Sequence, residues 1–201
     1  MNKKVIIGGL VVVVLLGIGG YSIVKKNKKK EANNIKIEQQ KEVESLNKNE
    51  LNNSIKGLSD QELIKKYLLL KDSKVPVKDR VEASEVARKF AKAITEYNPN
   101  NPKEGEKEAL SCVSEDIYKD IEGMFITKGK EIIGDIKEKK ITYLESEEVK
   151  NSKDNAYLYI DTTIGYDVID NNNQKIEHKT EGYVVQLLKI NGQYKITSFK
   201  R

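Results

Sequence analysis

Residues Val5 to Val24 read VIIGGLVVVVLLGIGGYSIV, about twenty residues without a charge, with Lys3 and Lys4 before them and Lys25, Lys26, Lys28, Lys29 and Lys30 after them. At about 1.5 Å rise per residue, a helix of that length crosses the roughly 30 Å hydrocarbon core of a bilayer. A secretory signal peptide has a shorter apolar region and a small-x-small cleavage site. The nearest approach to such a site, Gly17 to Gly20, lacks the alanine pair a peptidase prefers. The run is therefore expected to remain as a single-pass anchor over 5–24, behind a short tail over 1–4. No later segment is comparably apolar, so everything after Val24 is expected on one side of the membrane.

The formal charge of +5 invites a nucleic-acid reading until the charge is located. Residues 1–76 hold 15 Lys and 8 acidic residues, whereas residues 77–201 hold 21 Lys or Arg and 23 acidic residues. The basicity belongs to the part beside the membrane, where each lysine meets anionic head groups with about 1 kcal/mol. Phosphate recognition needs a clustered positive surface, so nucleic acid is not the expected partner of the C-terminal part. The lysine count around the span favours a cytoplasmic C-terminal part by the positive-inside rule. The short MNKK start resembles instead a signal anchor that leaves its N-terminus inside. Cys112 is the sole cysteine and reads as a small buried apolar residue.

Residues 25–76 read as a charged stalk. Lys, Glu, Asn and Gln dominate its first half, and its apolar residues do not sustain clean heptads. Ser59-Asp60-Gln61-Glu62 is a capping-box pattern that opens a short helix near 60–71, with Leu63, Ile64, Tyr67, Leu68 and Leu70 as its stripe. Val75-Pro76-Val77 reads as an extended joint. A helix is expected from Asp79, with Val86, Phe90, Ala93, Ile94 and Tyr97 on one side, ending in the turn-rich block Asn98 to Pro102. Two shorter helices are expected over 107–113 and 115–125. The second has Ser114 as N-cap and Ile117, Ile121 and Met124 or Phe125 facing inward.

After Gly134 the period changes from helical to alternating. Residues 139–150, 155–169, 175–190 and 193–200 read as four strands rich in Ile, Val, Thr and Tyr. Lys153 to Asn155 and Asp170 to Gln174 supply two turns, and Asn191-Gly192 suits a two-residue hairpin with positive φ. That hairpin pairs Leu187 with Ile196 and Val185 with Ser198, so Val185, Leu187, Tyr194 and Ile196 share a face. In the second strand Ala156, Leu158, Ile160, Thr162, Ile164, Tyr166 and Val168 share the apolar face. Strands this long must bend to stay compact, and Gly165 and Gly182 are the expected bend or bulge sites. The fold class is thus α+β: an N-terminal transmembrane helix, a stalk, then about three helices on a curved four-stranded antiparallel sheet over 77–201.

Helices leading into a long-stranded meander, closed by Lys189-Ile190-Asn191-Gly192-Gln193-Tyr194-Lys195-Ile196, resemble the nuclear-transport-factor-two-like (cystatin-like) superfamily. Tyr194 stands where those domains usually carry tryptophan. Joined to an anchor and stalk, the arrangement resembles the bitopic assembly-factor subunits of bacterial type IV secretion and conjugation systems. The resemblance implies a non-enzymatic scaffold in the cell membrane, its C-terminal domain outside, with itself and other envelope-complex proteins as partners. The alternatives are a small-molecule-binding or isomerase-like domain, and a cell-wall accessory or regulatory sensor.

No catalytic, cofactor or metal residue is assigned. Tyr157, Tyr159, Asp161, Tyr166 and Asp167 supply the residue types of an isomerase, but Tyr157, Tyr159, Asp161 and Asp167 lie on the strand face opposite the apolar residues, as a solvated face would. His178 is the single histidine, and Glu177 and Glu181 point away from it by the two-residue period, which argues against a metal site. Glu145, Glu147 and Glu148 read as a charged, exposed edge. Phosphate loops, nucleophile elbows and paired-cysteine zinc motifs do not occur.

Overall fold

The computed structural model describes residues 51–98, 101–131, 136–149 and 157–201, which belong to the compact unit Glu50–Arg201. The apolar run 5–24, the first half of the stalk and the turn at 153–155 lie outside the described residues. Among the described residues no helix is long and apolar enough to cross a membrane. The fold is α+β: helices α1 (Asp60–Lys66), α2 (Val77–Thr95), α3 (Pro102–Cys112) and α4 (Tyr118–Glu131), then strands β1 (Ile136–Val149), β2 (Leu158–Asp170), β3 (Lys175–Ile190) and β4 (Gln193–Lys200). The strands form one antiparallel meander in the order β1-β2-β3-β4.

Each helix starts where the chain supplies partners for its first N–H groups. The capping box forms at α1: the Glu62 N–H donates to Ser59 Oγ at 3.4 Å and the Ser59 N–H donates to the Glu62 carboxylate at 2.8 Å. The helix stops at Lys66, earlier than the apolar stripe implies, because Leu68 takes a left-handed φ of 55°. That turn leaves Leu68 exposed and buries Leu69, which joins Leu63, Tyr67 and Val81 in a small core. α3 begins inside the expected turn block, with Pro102 in its first turn, where a missing N–H costs nothing. Ser114 does not cap through its side chain. Its backbone N–H donates to the Ile196 carbonyl of β4, beside a parallel bridge from Val113 to Ile196.

The main core lies between the helices and one face of the sheet. Ile160, Ile164, Val185, Leu187 and Ile196 are fully buried there against Ala83, Ala87, Phe90 and Ala91 of α2. Each such aliphatic side chain contributes roughly 1.5–3 kcal/mol relative to exposure. The faces are as alternation implies: Leu158, Ile160, Thr162, Ile164, Tyr166 and Val168 of β2 point inward, as do Val185 and Leu187 of β3 and Tyr194 and Ile196 of β4. Cys112 is buried, and burial pushes its thiol up to about 11.

The register departs from the simple hairpin count at one place. Leu187 pairs with Ile196, but Val185 pairs with Phe199 instead of Ser198, since Thr197 is the extra residue of a bulge between them. The bulge turns Phe199 inward onto Phe90, ring centroids 5.1 Å apart in an edge-on arrangement. Gly165 lies at an irregularity, opposite the break between Ile141 and Tyr143 of β1. Gly182 does not; it pairs regularly with Thr163.

One glycine is required by packing. A Cβ on Gly105 would stand 2.8 Å from the Ala93 carbonyl oxygen and 3.2 Å from the Phe125 ring, so α3 passes α2 at backbone contact. Gly105→Ala is expected to destabilise by about 1–2 kcal/mol, overpacking of about 1–3 kcal/mol outweighing the gain of up to about 1 kcal/mol in helix propensity. Gly123→Ala in α4, where nothing lies within 4 Å of the added carbon, is expected to stabilise by about 0.5–1 kcal/mol. Thermal unfolding of the pair measures both; equal shifts would contradict the close crossing.

Candidate functional site

Two polar clusters occupy the helix-packed side of the sheet. In the first, the Arg80 guanidinium of α2 meets the Glu148 carboxylate of β1 at 2.6 Å, each side chain 3% exposed. The Leu70 peptide closes the arrangement, its N–H donating to Glu148 at 3.1 Å and its carbonyl accepting from Arg80 at 2.5 Å. The chain between α1 and α2 is thereby fastened to β1. Two turns further along α2, Arg88 donates to the Ser146 hydroxyl at 2.8 Å. Ser84 lies between the two arginines at four-residue spacing, and Thr162 pairs across the strands with Ser146. Among the described residues the Ser84 and Thr162 hydroxyls and Arg80 Nε make no hydrogen bond to protein.

Glu148 thus departs from the reading of an exposed acidic edge: it is buried, while its neighbour Glu147 is exposed. The reason is the two-residue period, which turns Ser146 and Glu148 inward onto α2. The Glu145 side chain lies outside the described ones.

The second cluster centres on Glu181. Tyr166 donates to its Oε1 at 2.5 Å, Tyr183 donates to its Oε2 at 2.6 Å, and Arg201 pairs with Oε1. Thr95 at the end of α2 stands 3.2 Å from the Tyr183 hydroxyl. Burial pushes the Glu181 carboxyl upward, but the hydrogen bonds from both phenols and the Arg201 charge outweigh it and hold the group below the usual carboxylate range. Burial and the adjacent carboxylate raise both phenols, Tyr183 to about 12. A carboxylate with both oxygens engaged, beside phenols that keep their protons, is poorly suited to moving a proton at neutral pH.

A depressed folded-state value means stability that is present above the unfolded carboxylate range and is lost as pH falls through the folded one. Glu181→Gln is therefore expected to cost on the order of 1 kcal/mol at pH 7, discounted for partial exposure, and less at pH 3. Denaturant titrations at the two pH values check this. An equal loss at both would contradict an ionised, hydrogen-bonded Glu181.

The remaining sequence candidates separate as the strand period requires. Tyr157, Tyr159 and Asp161 are half-buried on the outer face, while Tyr166 faces inward. Asp167 and His178 pair across the strands, carboxylate to Nδ1 at 2.6 Å, and Lys175 reaches the same carboxylate at 2.7 Å. Hydrogen bonds from Lys175 and His178 hold the Asp167 carboxyl below its usual range. Glu177 and Glu181 lie on the opposite face from His178. Among the described residues no group of three His, Cys, Asp or Glu is placed to hold a metal ion. Arg80, Ser146, Thr95, Tyr183 and Arg201 escaped the sequence reading. A faint signal existed for the first: Arg80, Ser84 and Arg88 repeat every four residues alongside an apolar stripe.

No family model and no curated protein matches this sequence. Among solved structures the chain is similar to CagV, a VirB8 homolog of the type IV secretion system (T4SS) from Helicobacter pylori strain 26695. The similarity covers 58% of this chain and 92% of that one, with a TM-score of 0.48 and 9% sequence identity.

Proposed function

We propose that this chain is a non-enzymatic, single-pass membrane protein whose C-terminal domain lies outside the membrane and serves as an assembly component of a bacterial envelope complex, conjugative transfer being the specific case. The observation that carries the reading is the use made of the inward carboxylates. Glu148 and Glu181 are both spent on internal bonds, to Arg80 and the Leu70 peptide and to Tyr166, Tyr183 and Arg201. These bonds fix the elements relative to one another, which suits a rigid binding domain. The lysine-flanked apolar run supports the anchor. Among the described residues the Tyr-Glu-Tyr arrangement is the one feature that favours an isomerase-like reading, and the ionised state of Glu181 and the high values of the phenols weigh against it.

Fractionation and protease access test the proposal together. The full chain is expected in carbonate-washed membranes, with its C-terminal domain cut by protease added to intact cells. Release by carbonate would overturn the anchor, and full protection would overturn the external placement.

A further inference from the structure

β3 is longer than the strand beside it. β4 pairs with it over Val184 to Ile190, so residues 175–183 have β2 on one side and, among the described residues, no strand on the other. Residues 175–180 are exposed. A bare sheet edge offers backbone groups for another strand, and natural edges are shielded by charge or bulges. This edge is charged in an unusual order: Glu177, Lys179 and Glu181 alternate in sign at every second residue, while the bulge at Ile176 turns Lys175 to the face of Asp167.

We propose that this overhanging edge pairs antiparallel with the same edge of a second copy of the chain, about a two-fold axis through His178. The alternation decides both partner and register. With the axis at His178, Glu177 of each copy faces Lys179 of the other, and Ile176, which is 53% exposed, faces Thr180. Moving the axis to Lys179 sets Glu177 against Glu181, and moving it to Glu177 sets that carboxylate against its own copy. Like charges directly opposite are unfavourable, so the pattern selects one register and repels its neighbours. An axis at Ile176 would sit in the bulge where the β2 pairing steps from Val168 to Ile169, and one at Thr180 would run into the end of β4 at Lys200. Glu177 and Lys179 already lie together at 2.8 Å on one face, so the four charges of the pair form a compact cluster. A ladder of about five residues per copy is a small interface and associates weakly alone. The contact therefore rests on the anchored reading above, since anchors confine the copies to one surface and raise their effective concentration.

Cysteine crosslinking of the full chain in cells tests the register. Paired residues on an antiparallel axis bring Cα atoms to about 4.5–5.5 Å, within disulfide reach. His178→Cys is expected to give a disulfide-linked dimer under mild oxidation. The unaltered chain, whose Cys112 is buried, and Val184→Cys, exposed but away from the axis, are expected to stay uncrosslinked. Adding Lys179→Glu to His178→Cys is expected to cut dimer yield at least tenfold, and adding Glu177→Lys as well is expected to restore it. Failure of His178→Cys to crosslink, or crosslinking indifferent to the charge at 179, would overturn the contact. A chain that stays in the membrane and copurifies with envelope proteins yet never crosslinks through residue 178 refutes this contact while the proposed function stands. Crosslinking through 178 by a chain released from the membrane does the reverse.

Discussion

Arg80→Ala is expected to cost about 3–5 kcal/mol of folding stability, a large share of the roughly 5–15 kcal/mol that holds a domain together. The ion pair itself is not the source of that figure, because burying two charges costs about as much as their attraction returns. The loss comes from what is stranded. Without the guanidinium, the Glu148 carboxylate stays buried beneath α2 and the Leu70 carbonyl loses its donor. Glu148→Gln is expected to be milder, since an amide still accepts from the Leu70 N–H. The apolar pair Arg80→Met with Glu148→Leu is expected to recover most of the loss, as buried pairs often tolerate such replacement. Urea denaturation followed by far-ultraviolet circular dichroism measures all four chains; the absence of tryptophan makes that signal preferable to fluorescence. A single-variant cost below about 1 kcal/mol, the range of an exposed pair, would contradict the buried arrangement.

Phe90→Ala is the second large effect, about 3–5 kcal/mol. Phe90 is fully buried in the middle of α2, and its ring meets the edge of Phe199 from β4. The contact exists because the Thr197 bulge shifts the last residues of β4 by one position. A double-mutant cycle with Phe199→Leu is expected to show a coupling of about 0.5–1.5 kcal/mol, the usual worth of an aromatic pair beyond burial. Additivity within error would mean that the rings do not touch, and would return Phe199 to the outer face that a bulge-free hairpin assigns to it.

These two sites also mark where the sequence was legible. Strand identity and facing were readable from period-two alternation, and β3 and β4 occupy the expected residues because Asn191-Gly192 fixes their turn, with φ of 52° and 81°. Past the bulge the same count fails, since nothing local in Thr197 announces an extra residue. The ends of helices were legible where chemistry fixes them, as at Ser59, and not where a single left-handed residue ends a helix early, as at Leu68. The polar clusters were least legible. Alternation places Glu148 on the inward face, but its partner Arg80 is 68 residues away in sequence, and only the packing of α2 on β1 brings them together. The two-residue period alone turns Glu181 away from His178; that it gathers Tyr166, Tyr183 and Arg201 depends on the diagonal geometry of β2 and β3.

An anchored assembly component should be found inside an assembly. Crosslinking the full chain in intact cells of its native host, followed by detergent extraction and mass determination of the complexes, tests that claim most directly. The account predicts membrane-derived species well above the monomer mass, containing further copies of the chain together with other envelope proteins. A chain recovered from those membranes as a monomer without partners, at every crosslinker length tried, would contradict it.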